Sequence, residues 1–270
     1  MNKKNRGLKN GTELAYLTRG EGSEALVLLH GFCGSSAYWE PVLPHLPPEL
    51  PVLVPDLRGH GDSSAPEGPY SMEGMAEDLA LLFEELGLTR VVLLGHSLGG
   101  YVTLAFAEQT PKWLAGFGLV HSTPLPDDKA GKAKRDASIE TIRSKGMETF
   151  AEGLIPNLFT EAYREDNPQS VAAMTEVAQR TSPAAAIAAL QGMKARPDRS
   201  QVIERAALPV LLIAGEGDSI APPAKAFAAA APSGVQTVLS HSAHMGMFEE
   251  TEEMARVVGA FARKALDRTH

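Results

Sequence analysis

The pentapeptide Gly95-His96-Ser97-Leu98-Gly99 sets a hydroxyl between two glycines, directly after an apolar run at 91–94 and directly before a stretch of helical periodicity that begins at Leu98. A junction of strand, tight turn and helix is where a serine can be presented on a strained turn as a nucleophile toward a carbonyl carbon. Side chains at positions 95 and 99 would collide with the neighbouring strand and helix, which is the mechanical reason for glycine there. A helix starting at Leu98 also directs its N-terminal N–H groups and positive dipole end toward the place where a tetrahedral intermediate carries negative charge. A serine hydroxyl is almost fully protonated at neutral pH, so Ser97 needs a base within hydrogen-bond reach and a third group to orient that base. The chain offers eight histidines as bases. Two carboxylates, Glu216 and Asp218, follow the apolar run at 210–214, and either could fix an imidazole tautomer.

The elements that must position these groups are legible as patterns. Apolar runs at 25–29, 52–54, 91–94, 117–120, 210–214 and 235–239 are continuous rather than alternating. Such runs suit strands buried on both faces of a parallel sheet, with helices as crossovers. A helix is expected at 71–86, where Ser71 caps a face of Met72, Met75, Leu79, Leu82, Phe83 and Leu86 that Gly87 closes. Further helices are expected at 98–109, 223–231 and 249–266. From 124 to 207 the strand rhythm gives way to Ala-rich, charged sequence broken at Pro156, Pro168, Pro183 and Pro197. That length exceeds what one crossover requires. The expected organisation is therefore an α/β core of residues 1–123 and 208–270, with a helical cap, 124–207, inserted in it.

Charge and composition exclude several classes of function. The net charge of -8, with Lys and Arg clustered only at 1–9 and 129–135, argues against a nucleic-acid partner, whose phosphates demand a broad basic surface. The basic start runs into polar sequence rather than an apolar stretch, and no run is long enough for a membrane span, so a cytoplasmic protein is expected. The single cysteine, Cys33, excludes an intrachain disulfide and a Cys-based zinc site. Asp56, His60 and Asp62 look like metal ligands, but carboxylates bracketing a histidine in a Gly-rich loop more often make turn hydrogen bonds. No second cluster completes a ligand set, and no metal is expected.

Four further motifs, taken with the serine pentapeptide, carry a family resemblance. Leu28-Leu29-His30-Gly31-Phe32 resembles an oxyanion loop after a third strand, and the loop from Asp56 to Ser63 resembles the one after a fourth. Gly215-Glu216-Gly217-Asp218 resembles an acid loop after a seventh strand, and Ser242-Ala243-His244 a histidine loop after an eighth. From about Leu26 onward the sequence resembles the α/β-hydrolase superfamily, esterase and lipase branch, which uses the chain order Ser, Asp, His. The resemblance implies a mostly parallel sheet with helices on both faces and an inserted helical cap.

It also implies roles. Ser97 is the expected nucleophile, His244 the base and Asp218 the orienting acid, with His241 and Glu216 left as loop residues, His96 pointing elsewhere and His121 closing a strand. The backbone N–H groups of Phe32 and Leu98 are the expected oxyanion donors, Cys33 is structural, and no cofactor is required. The expected partner is a small-molecule ester with an uncharged acyl group, lined by Phe32, Leu98, Trp39, Tyr101, Leu125, Met193, Ile220 and Met245. Trp39 and Met193 fit an ordinary core equally well. The same scaffold admits a monoglyceride lipase, thioesterase, lactonase, carbon–carbon bond hydrolase or cofactor-free perhydrolase, and a non-catalytic ligand-binding protein.

Overall fold

The computed structural model describes residues 1–267. Strands β1 (Asn2–Gly7) and β2 (Glu13–Arg19) open the chain as an antiparallel pair, and β2 pairs antiparallel with β4. Strands β3 (Glu24–Leu29), β4 (Val52–Pro55), β5 (Arg90–His96), β6 (Leu114–Val120), β7 (Val210–Gly215) and β8 (Gly234–Leu239) are mutually parallel. The sheet order is β1-β2-β4-β3-β5-β6-β7-β8.

The continuous apolar runs form the middle of this sheet, with β4, β6 and β7 buried along their whole length. The run at 235–239 departs from the expected double burial. It is the sheet edge, and Val235 and Val238 are 46% and 48% exposed. The other edge, β1, has no apolar residue that would mark it in the sequence. The pairing of Leu29 with Gly95, Gly95 with Leu119, Val120 with Ile213 and Gly215 with Leu239 keeps the carboxyl ends of the parallel strands level. The loops leaving β3, β5, β7 and β8 therefore emerge together, at the edge where open α/β sheets place their ligands.

Helix α1 (Met72–Leu86) starts at Ser71, whose Oγ accepts from the Gly74 N–H, and ends at Gly87 in the left-handed conformation with φ 67°. Helix α2 (Leu98–Gln109), buried from Leu98 to Phe106, packs on α1, β5 and β6. The proline-punctuated segment folds as α3 (Lys129–Leu154), kinked at Gly146, then α4 (Glu161–Asp166), α5 (Pro168–Gln179), α6 (Pro183–Ala195) and α7 (Ser200–Glu204). Pro168 and Pro183 stand at the first position of their helices, where a missing N–H costs nothing.

Two helix expectations need correction. The stretch 223–231 yields only the single turn α8 (Pro223–Ala226), because Ala226 and Ala229 are its only well-buried positions and offer too small a face to hold further turns. The stretch 249–266 begins instead as the turn α9 (Gly246–Glu249), breaks at Glu250 with φ -136°, and resumes as α10 (Thr251–Leu266). Among the described residues no helix is long and apolar enough to cross a membrane.

Candidate active site

Ser97 sits between β5 and α2 with φ 51° and ψ -113°, a left-handed backbone that costs a side-chain-bearing residue energy. The turn is held on both sides: Ser97 N–H donates to Val120 O (3.0 Å), and Ser97 O accepts from Ser122 Oγ (2.7 Å) and Gly100 N (2.9 Å). A Cβ at Gly99 would lie 2.7 Å from His30 O and Leu29 Cβ, so glycine there allows α2 to approach β3. Leu98, as the first residue of α2, has an N–H with no acceptor inside the helix.

Asp218 and His244 meet. His244 Nδ1 is 2.7 Å from Asp218 Oδ2, and Asp218 Oδ1 accepts from the N–H groups of Ile220 (2.8 Å) and Ala221 (2.9 Å). Burial would raise the Asp218 carboxyl, but the His244 imidazole, His121 and the Ala221 amide together hold it well below the usual carboxylate range. An ionised carboxylate only accepts, so His244 Nδ1 donates to it, and in the neutral ring that tautomer leaves the lone pair on Nε2. The two rivals stay outside this pair. Glu216 and His241 are exposed, and His241 engages Glu250 through its backbone N–H (2.9 Å).

Two more imidazoles crowd this pair. The His96 ring, next in the chain to Ser97, lies 5.0 Å from the His244 ring, and His96 Nε2 donates to His244 O at 2.9 Å. His96 thus points into the histidine loop and holds its backbone. His121 adopts φ 47°, is fully buried, and brings Nδ1 to 3.5 Å from Asp218 Oδ2. Burial lowers the pKa of both, and neighbouring imidazoles lower it further. The position of His121 as the residue that ends an apolar run hid this contact in the sequence.

The residues that follow β3 are tied to the loop after β4. His30 Nδ1 donates to Gly31 O (2.7 Å) while its Nε2 accepts from Leu57 N (2.9 Å), so the ring is neutral with a fixed tautomer. Asp56 accepts from Ser36 N (2.6 Å) and Asp62 N (2.9 Å) and pairs with Lys3 Nζ (2.9 Å), a turn-and-anchor role for the carboxylate that resembled a metal ligand. Cys33 is buried, and burial pushes its thiol well above the usual range. It is inert as a nucleophile at neutral pH.

The expected lining residues divide. Phe32 is half-buried, with ring edges against Phe150 of α3 (6.1 Å) and His60 (6.2 Å). Tyr101 lies under the Arg196 guanidinium, 3.9 Å from its ring centroid, and Leu125 O accepts from the same guanidinium (3.0 Å). Met245 is buried next to His244, and Met193 is buried in α6. Trp39 takes the core reading, because it is fully buried with its indole N–H on Leu29 O (3.0 Å). Ile220 is 43% exposed and serves Asp218 through its backbone. Glu249, read in the sequence as the start of a helix, instead accepts N–H groups from Thr160, Ala243 and Met245 (2.6, 2.9 and 3.3 Å). Nothing in residue type or spacing marks such a backbone acceptor.

A profile of the alpha/beta hydrolase fold matches residues 24–251. Among solved structures, the chain is similar to a thermophilic esterase from Thermogutta terrifontis, with 32% identity, a TM-score of 0.90, and 98% of this chain and 99% of that one covered. It is also similar to an enol-lactonase from Burkholderia xenovorans LB400, with 26% identity, a TM-score of 0.87, and coverage of 96% and 99%. Among curated proteins, it is 29% identical over 251 residues to the dihydrolipoyllysine-residue acetyltransferase component of an acetoin cleaving system from Pseudomonas putida. That match covers 91% of this chain and 65% of that protein. Matches to two other curated relatives span 49% and 35% of their lengths. The profile match over most of the chain, together with the parallel sheet and its strained serine turn, leads to one conclusion: the chain belongs to the α/β-hydrolase fold family.

Proposed function

We propose that the chain is a serine hydrolase that cleaves carboxylic esters of small to medium apolar acyl groups. The observation that carries the reading is the 2.7 Å contact between His244 Nδ1 and Asp218 Oδ2, made beside the strained Ser97 turn. Ser97 Oγ attacks the ester carbonyl carbon while His244 Nε2 takes its proton, and the N–H groups of Leu98 and Phe32 hold the resulting oxyanion. Collapse expels the alcohol, which receives the proton from His244, and leaves the acyl group on Ser97. Water, deprotonated by His244, then releases the acid and restores the serine. Residues 1–123 and 208–270 form the catalytic core in this reading, and 124–207 is the cap that shapes access to it.

A panel of p-nitrophenyl esters graded by acyl length, with fluorophosphonate labelling, tests the reading. Ser97→Ala should fold, lose labelling and lower kcat by roughly five to six orders of magnitude. Turnover by Ser97→Ala within tenfold of wild type would reject Ser97 as nucleophile, and a wild-type protein that neither labels nor turns over would mark a binding protein. A lactone is a cyclic ester that the same steps would open, and the likeness to an enol-lactonase supports this second reading. Including lactones in the panel ranks the two.

A further inference from the structure

Three consecutive residues of the helical segment hold separate parts of the stretch that carries His244. Leu158 O accepts from His244 N at 2.9 Å. The Phe159 ring stacks on Tyr163 (5.2 Å, 11°) and meets Phe248 edge-on (5.8 Å, 78°). Thr160 N donates to Glu249 Oε1 at 2.6 Å. The other Glu249 oxygen accepts from Ala243 N and Met245 N, the two residues that flank His244. One carboxylate thus bridges the helical segment and both sides of the histidine.

We propose that Glu249 is a positioning residue that fixes the His244 backbone and ties it to residues 158–160, so that displacement of the helical segment reaches the base. This rests on the reading of His244 as the general base. The chemistry favours a carboxylate here. Three N–H donors converge on two oxygens, and a glutamine would turn its own NH2 toward a donor. Hydrogen bonds to an ionised acceptor are roughly twice as strong as neutral ones, which suits a joint between two separately folded stretches.

The backbone supplies a selective test. Thr160 has φ -62° and Phe159 has φ -104° and ψ 155°, so proline fits at 160 while deleting the N–H that Glu249 accepts. Thr160→Ala keeps that N–H and loses only the side-chain cap on Tyr163 N. Thr160→Pro and Glu249→Ala should each lower kcat for a short p-nitrophenyl ester by about ten- to a hundredfold with KM within about twofold, the cost of a base displaced by a fraction of an ångström. The double variant should be no slower than the slower single, because both changes cut one joint. Thr160→Ala should keep the wild-type kcat. The His244 ring Cε1–Hε1 NMR cross-peak should move in Thr160→Pro and Glu249→Ala and stay in place in Thr160→Ala. Wild-type kcat with an unmoved cross-peak in both single variants, or losses that multiply in the double variant, would overturn the proposal. A wild-type protein without ester turnover or Ser97 labelling would reject the proposed reaction instead, and the cross-peak would then decide the Glu249 joint by itself.

Discussion

His121 Nδ1 lies 3.5 Å from Asp218 Oδ2, the same oxygen that His244 Nδ1 meets at 2.7 Å. Two imidazoles face one carboxylate oxygen, and only the shorter contact is within good hydrogen-bond distance. His244 therefore makes the hydrogen bond to Asp218, while His121 makes only a longer electrostatic contact with it.

That inequality predicts a ranking. Asp218→Asn should lower kcat about ten thousandfold by spoiling the His244 tautomer. His121→Asn should lower it by less than about tenfold, since asparagine tolerates the left-handed backbone that position 121 requires. Steady-state kinetics on both variants decide the matter: equal losses in two folded proteins would make His121 part of the catalytic unit.

Gly99 tests the packing beneath the serine turn. Alanine there must push α2 away from His30 O and Leu29 Cβ. Overpacking of this kind costs about 1–3 kcal/mol, so Gly99→Ala should lower the thermal midpoint and slow fluorophosphonate labelling of Ser97. A variant with wild-type melting and labelling would show that the helix can yield without cost.

Buried histidines set the response to acid. Burial lowers the pKa of His30, His96 and His121, and takes His60 down to about 3, helped by the neighbouring His30. In the unfolded chain each returns to about 6.5, so between the two values the unfolded state binds more protons and stability rises with pH. The contribution is fully present above about pH 6.5 and drains as pH falls toward each folded value. Urea midpoints measured from pH 7.5 to 4.5 should fall below about pH 6.5 with a slope worth at least two protons taken up on unfolding. A flat profile down to pH 5 would contradict the burial of these rings as neutral groups.

Much of this arrangement is legible in the sequence, and the exceptions share a cause. The five central parallel strands announce themselves because burial on both faces demands unbroken apolar runs, as at 91–94 and 210–214. Strand β1 does not, since residues 3–7 of it are exposed and it is held by backbone pairing and by Lys3 on Asp56. The Asp218–His244 pairing and the strained turn at Ser97 were readable because each residue sits in a loop whose glycines and neighbours form a motif. Glu249 and His121 were not, because one works through backbone amides and the other through a contact across strands. Pocket residues were the least legible. A large apolar side chain reads alike in a core and in a lining, and only the Trp39 bond to Leu29 O assigns that ring to the core.

Phe150 offers a way to test whether the helical segment selects substrate. Its ring meets Phe32 edge-on at 6.1 Å, and Phe32 supplies a proposed oxyanion N–H while its own ring is only half-buried. The contact therefore joins α3 to the loop after β3, beside the proposed oxyanion donor. Shortening Phe150 should open room beside Phe32 without touching Ser97, Asp218 or His244. Each methylene newly buried is worth about 0.8 kcal/mol, so two of them should raise kcat/KM for a longer acyl ester relative to acetate by about tenfold. Phe150→Leu is the variant of choice, because full truncation of a buried phenylalanine costs about 3–5 kcal/mol of stability. Fluorophosphonate labelling of Ser97 should proceed at the wild-type rate. An unchanged acyl-length profile in the folded variant would take Phe150 off the acyl path, and slowed labelling would mean that its ring holds Phe32, and with it the oxyanion donor, in place.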